Sequence, residues 1–247
     1  MKKIIVENQF WNIFPEAKIA IITIQNVDNS TQTDTEYFVK MLEKAVKESL
    51  KFTQNENFSE NEVIQKWRNA YQKFKTKKGA RSSIEALLKR AKNNNQVHSI
   101  NPMVDFYNCI SMTYGVPCGG EDVDKIKGDL LLTTAVGTEE FKPLGSSENE
   151  SPFLDEIIYK DEAGAICRCL NWREAQRTML TEDTKNAIFV IEEIDASKSN
   201  IEVAANELGK LFQEFFKVIP KVAFLDKNNP ETDWTYSVKY RISFFIL

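Results

Sequence analysis

The sequence predicts an α+β fold in which short strands pack with helices, and three observations carry that expectation. From Phe38 to Tyr114, apolar side chains recur at helical spacing in four consecutive stretches. From Gly115 onward glycines and prolines become frequent and short β-rich runs take over. The two textures do not alternate as regular strand–helix units, which a parallel α/β sheet would require. A chain of 247 residues with 42% hydrophobic and 28% charged residues has material for a sizeable core. No repeat or low-complexity linker divides it, so residues 1–247 read as a single domain, with an N-terminal helical extension and a C-terminal helix.

Lys18–Ile24 is apolar and alternating enough for a strand, set off by Pro15 and the Asp28-Asn29-Ser30 turn. Phe38, Met41, Leu42, Ala45, Ser49 and Leu50 mark a first helix, and Val63, Ile64, Trp67, Ala70, Tyr71 and Phe74 a second. Ser82-Ser83-Ile84-Glu85 reads as a capping box opening a third, with Leu87, Leu88 and Ala91 on its apolar side. Asn101 before Pro102 is an N-cap and first-turn pair for a fourth, carrying Val104, Tyr107, Ile110 and Tyr114. Asp129–Val136, Glu156–Lys160, Ala165–Leu170 and Ala187–Glu192 read as strands. A last helix covers about Ile201–Val218 and ends before Pro220, and Thr235–Leu247 alternates like a strand.

Composition excludes several classes of chemistry. His98 is the single histidine, so a His-Glu-x-x-His metalloprotease helix and a His-rich metal site are ruled out. No Gly-x-Ser-x-Gly elbow or glycine-rich phosphate loop is present. Cys109, Cys118, Cys167 and Cys169 lack zinc-ribbon spacing; Cys167 and Cys169, two apart, would share one face of a strand as core thiols. No metal and no cofactor are expected. No apolar run reaches the ~18 residues of a membrane span, and Glu7, Asn8 and Gln9 interrupt the leader-like start Met1–Val6. A soluble, cytoplasmic protein is the expectation.

Charge is uneven. Between Lys66 and Lys92 ten Lys/Arg face one acid, Glu85, so this segment carries +9 while the chain as a whole carries -4. Lys73, Lys75, Lys77, Lys78 and Arg81 are the candidate contacts for a nucleic-acid backbone. Trp67, Tyr71 and Phe74 interleave with them at helical spacing, which favours a buried stripe over base stacking. A solvated basic face and a polyanion site both remain open.

The segment Ser99–Gly128, with Asn101-Pro102-Met103-Val104-Asp105, Tyr107-Asn108, Gly115-Val116-Pro117 and Asp122-Val123-Asp124-Lys125, resembles the editing (B3/B4) domain of the bacterial phenylalanyl-tRNA synthetase beta subunit. The similarity covers about residues 79–195. Proteins that carry this domain on its own look closer still, sharing Trp67-Arg68-x-x-Tyr71, Arg81-Ser82-Ser83-Ile84-Glu85-Ala86-Leu87 and Cys167-Arg168-Cys169-x-Asn171-Trp172-Arg173. The resemblance implies an α+β domain whose synthetase members hydrolyse the ester of a tRNA charged with the wrong amino acid. Two departures stand out: Gly119 occupies the position of the family's histidine, and Leu170-Asn171-Trp172-Arg173 replaces a glycine-rich stretch. No synthetase catalytic core, adenylate site or anticodon module is visible.

On this reading the substrate-binding candidates are Asn101, Asp105, Asn108, Gly119, Gly120, Arg168, Asn171, Trp172, Arg173 and Glu192. Asp105 and Asn108, three apart on a helix, share a face able to orient an amino group or a water. Pro117-Cys118-Gly119-Gly120 reads as a turn whose N–H groups could form an anion nest. Arg168 and Arg173 are candidate clamps for phosphate or carboxylate. The expected partner is tRNA or aminoacyl-tRNA, with an amino acid as the small ligand. Two functions fit: a deacylase of mischarged tRNA, or a module that binds tRNA or amino acid without catalysis.

Overall fold

The computed structural model describes residues 2–30, 35–94 and 96–234. In chain order its elements are β1 (Lys3–Val6), α1 (Asn8–Ile13), β2 (Lys18–Ile24), α2 (Thr35–Ser49), α3 (Glu62–Tyr71), α4 (Ser83–Asn94), α5 (Pro102–Tyr114), β3 (Cys118–Asp122), β4 (Leu130–Thr134), β5 (Ile157–Asp161), β6 (Gly164–Arg168), β7 (Arg173–Glu174), β8 (Ala187–Glu193), α6 (Ile201–Phe216), β9 (Lys221–Leu225) and β10 (Glu231–Asp233). Helices and strands are segregated as expected of an α+β fold. The larger sheet runs β10-β1-β4-β5-β6-β7 and the smaller one β3-β8-β2-β9.

Period-two alternation explains the layering. Along β8, Ile188 and Val190 enter a core shared with Leu130, Leu132, Tyr159 and Ile166 of the larger sheet. Ala187, Phe189 and Ile191 turn the other way, onto Phe106 and Ile110 of α5 and Leu208 and Phe212 of α6. The smaller sheet is thus buried on both faces, which is why β2 and β8 read as near-continuous apolar runs.

Local chemistry sets the helix ends. Asn101 Oδ1 accepts from the Val104 N–H at 3.1 Å, Pro102 occupies the first turn, and Gly115 closes α5 at φ 68°. Ser82 Oγ accepts from the Glu85 N–H, completing half of the expected capping box. The Glu85 side chain does not reach back; it pairs with Arg68 at 2.6 Å.

Three features differ from the sequence reading. The N-terminal extension is not purely helical: besides the expected strand β2, which lies between β8 and β9, it adds β1, which joins the larger sheet beside β4. Cys118–Gly120 is an edge strand paired with β8, not a nest-forming turn. Cys169 leaves β6 at φ 47°, so it no longer shares a strand face with Cys167. The expected strand Thr235–Leu247 lies outside the described residues. Among the described residues no helix is long and apolar enough to cross a membrane.

Candidate functional site

A missing side chain opens the site. Gly119 and Glu121 of β3 pair with Val190 and Ile188, so they face the space between the two sheets. Gly119 fills none of it, and a cavity of about 50 Å³ is left there. Its walls include Gly119, Gly120, Glu121, Val190 and Glu192 from the smaller sheet, Leu130, Tyr159, Ile166 and Cys167 from the larger, and Ser83, Leu170, Asn171 and Glu174. A Cβ at position 119 would sit 3.0 Å from Glu174 Oε1, so a side chain there would press on that carboxyl. Gly120 is fixed by packing instead, since a Cβ would meet the Phe189 ring at 2.7 Å.

The turn from β6 to β7 delivers Asn171. Cys169 and Leu170 both adopt left-handed backbone, at φ 47° and 65°, a conformation that non-glycine residues hold only when surroundings enforce it. Glu156 is the enforcing group: its carboxylate takes the Cys169 N–H at 3.0 Å and the Arg168 guanidinium at 2.8 and 2.7 Å. Asn171 then engages both ends of its amide. Its Oδ1 accepts from Tyr71 Oη at 3.0 Å and from the Ser83 N–H at 3.2 Å, and its Nδ2 donates to Glu192 Oε2 at 2.7 Å. Tyr159 Oη donates to Glu192 Oε1 at 2.9 Å.

Three carboxyls therefore face one largely apolar cavity. Burial pushes Glu192 up to about 7, against the pull of its Tyr159 and Asn171 hydrogen bonds. Burial also pushes Glu174 up to about 7. Glu121 is held well above the usual carboxylate range by burial first and by repulsion from Glu174 second. The thiols of Cys118 and Cys167 are raised well above their ordinary value by burial, so neither supplies a thiolate nucleophile. Among the described residues no group of three or more His, Cys, Asp or Glu side chains is placed to hold a metal ion.

A second, larger hollow adjoins the first and shares Ser83, Cys118, Asn171 and Glu174 with it. Its remaining walls include Tyr107, Asn108, Trp172, Arg173 and the exposed Arg90 and Leu144, and this outer hollow is here termed the mouth. The Arg168, Arg173 and Lys77 cations lie 5.7–5.9 Å from the Trp172 ring centre. The fold thus brings together Asn108, Gly119, Gly120, Asn171, Trp172, Arg173 and Glu192.

Three candidates lie elsewhere. Asn101 is buried as the cap of α5, its Oδ1 also taking Asn29 Nδ2 at 3.1 Å. Asp105 is fully buried beneath the preceding loop, where it accepts from Ser99 Oγ and from the Ile100 N–H. Arg168 is 1% exposed and ion-paired with Glu156, so it supports the turn and does not reach a ligand. Conversely, Ser83, Glu121, Tyr159 and Glu174 line the cavity without having been singled out in the sequence. Reading Cys118–Asp122 as a strand would have exposed Glu121, which shares the face of Gly119.

The basic segment flanks the mouth through the Tyr71–Asn171 hydrogen bond. Lys77, Lys78 and Arg81 line a surface hollow with Arg68, Gln72 and Thr76. Lys73 lies over the Phe14 ring and Lys75 over the Phe153 ring. Part of the charge is neutralised, by Lys66–Glu193, Arg68–Glu85 and Lys77–Glu150 pairs. Of the stripe indicated by spacing, Trp67 and Tyr71 are buried and Phe74 is half-buried.

Comparison with known proteins places this architecture. The family whose model matches is described as the B3/4 domain, over residues 66–215. The chain belongs to the B3/4 domain family. The matched span contains the 79–195 segment recognised in the sequence and extends beyond it at both ends. A solved relative is the crystal structure of an N-terminal fragment of the phenylalanyl-tRNA synthetase beta-subunit from Pyrococcus horikoshii, 16% identical, with a TM-score of 0.48 over 88% of this chain. This chain spans about half of that fragment, 49% of its length. No curated protein matches the chain.

Proposed function

We propose that this B3/4 protein receives the aminoacyl end of a tRNA and hydrolyses the ester of a mischarged one. The single observation that carries the reading is the convergence of Asn171, Glu174 and Glu192 on a cavity that opens toward a mouth bearing cations. The aminoacyl group enters between the sheets. Arg90 and Arg173 at the mouth suit the terminal phosphates, and the Lys73–Arg81 surface suits the backbone behind them.

The chemistry asked of the site is modest, because an aminoacyl ester is already activated. A carboxyl poised at about 7 can take a proton from water near neutral pH, and Glu174 is such a group at the junction of cavity and mouth. Water oxygen attacks the ester carbonyl, Glu174 accepts the water proton, and the ribose oxygen leaves with it. Glu192 has both oxygens engaged by Tyr159 and Asn171, which supports a binding and positioning role. Gly119, standing where the resembling synthetases carry histidine, favours the second reading, a module that binds without hydrolysis.

A panel of tRNAs charged with cognate and non-cognate amino acids separates these readings. Hydrolysis above buffer that Glu174→Gln abolishes supports the deacylase. Salt-dependent tRNA binding with no hydrolysis supports the binding module. Absence of both rejects the assignment to tRNA.

A further inference from the structure

We infer that the inner cavity takes an aliphatic primary ammonium, the side-chain amine of a basic amino acid, held by Glu121 and Glu192. This rests on the reading that the cavity receives the aminoacyl group, and it names what that group carries. The walls between the carboxyls are hydrocarbon, from Leu130, Ile166, Leu170 and Val190. Glu121 and Glu192 line only the inner cavity, whereas Glu174 lines both cavity and mouth. A stem entering from the mouth therefore passes apolar walls and ends among carboxyls.

Unused bonding capacity points the same way. Glu121 Oε2 and Ser83 Oγ are buried without a hydrogen-bond partner of good geometry on the wall of this cavity, the Thr178 hydroxyl being the side-chain donor beside the Glu121 carboxyl. An alkylammonium brings three donors and no acceptor, which matches a surplus of acceptors; a hydroxyl brings one donor, and an anion would be repelled. Arg177, whose charge acts on Glu121, is occupied by a two-pronged pair with Asp161 at 2.8 and 2.9 Å. Burial without a paired cation disfavours the ionised form of such a carboxyl, and a bound ammonium would favour it.

The other titratable groups around these carboxyls are Tyr71 of α3, Tyr107 of α5, Cys118 of β3, Tyr159 of β5 and Cys167 of β6, all raised by burial and so neutral. Asp122 adds negative charge beside Glu121, with Arg177 opposing it. The pH dependence of ammonium binding thus follows the carboxyls. The ionised fraction of a group titrating at about 7, as Glu192 does, rises about tenfold between pH 6 and 8.

Isothermal titration of the full chain with Nα-acetyl-L-lysinamide and with the uncharged isostere Nα-acetyl-L-norleucinamide tests the inference. The lysine compound is expected to bind at least tenfold tighter at pH 8, to lose about tenfold at pH 6, and to release protons on binding. Glu192→Gln and Glu121→Gln should each abolish the preference while keeping a wild-type circular dichroism spectrum. Equal binding of the two compounds, binding of neither, or an unchanged preference in both variants overturns it. Should one variant misfold, the wild-type comparison decides alone. Retained tRNA binding with no lysine preference removes this inference and leaves the proposed function; lysine preference without tRNA binding does the reverse.

Discussion

Asn171 Nδ2 donates to Glu192 Oε2 at 2.7 Å, joining the β6–β7 turn of the larger sheet to the last buried stretch of β8 in the smaller. Asn171→Ala removes that bond together with the acceptor used by Tyr71 Oη and the Ser83 N–H. The expected cost is about 2 kcal/mol, because buried donors and a carboxyl lose their partner at once. Urea denaturation near neutral pH measures it; a midpoint equal to the wild type would mean that the amide does not tie the sheets.

Glu192 binds its proton more tightly in the fold, at about 7, than at the ordinary 4.5 it has when unfolded. Between these values the native state holds more protons, so the carboxyl's contribution to stability is full below 4.5, falls as pH rises, and levels off above about 7. Glu192→Gln removes the titration and keeps the shape. The variant should match wild-type stability at pH 4.5 and exceed it at pH 8 by about 2–3 kcal/mol. Denaturation at the two pH values checks the sign; a variant less stable at pH 8 contradicts it.

Asp105 and Arg168 act in the fold. Arg168→Ala leaves Glu156 buried and unpaired, at a cost of about 3–5 kcal/mol. Asp105→Ala strips an acceptor from Ser99 Oγ and the Ile100 N–H, costing about 1–3 kcal/mol. Arg173→Ala should instead change stability by less than about 0.5 kcal/mol, because its side chain is 40% exposed. Only its effect on tRNA binding should be large. Thermal melts and filter binding on the three variants separate the classes, and a destabilised Arg173→Ala would move that residue into the structural group.

The elements legible in the sequence were those whose own residues carried both pattern and punctuation. Lys18–Ile24 is the observed β2, and Asn101-Pro102 opens α5 as its cap chemistry requires. What escaped depends on partners far along the chain. Cys118-Gly119-Gly120 looks like a turn until β8 pairs with it, and Lys3–Val6 is four residues long until β4 lies beside it. The same holds at the site. Asn171 and Glu192 were marked by resemblance and by strand position, but nothing local distinguishes Glu174 or Glu121 from the many surface acids. Arg168 looked available for a ligand because its partner, Glu156, is twelve residues away across a hairpin.

Residues 66–215 should not fold alone. That span omits β1, β2, β9 and β10, and β2 fills the place between β8 and β9 with Ile19 and Ile21 in the intersheet core. Its loss leaves the long edge of β8 unpaired and takes Ile19 and Ile21 out of the intersheet core. A fragment limited to 66–215 is expected to lack a cooperative melt and to aggregate, whereas residues 1–234 should melt as one unit. A fragment that melts cooperatively would show that the flanking strands are accessory.

On the proposed function, the space between the sheets receives the aminoacyl group while Trp172 and Arg173 meet the nucleotide. A crystal structure of the full chain with a non-hydrolysable 3′-lysylamino-adenosine tests it most directly. The expected result is the lysyl side chain between β3 and β6, its amine within hydrogen-bond distance of Glu192 or Glu121, and the adenosine at the mouth beside Trp172. Ligand bound only outside the sheets, or an unchanged cavity at saturating ligand, would contradict it.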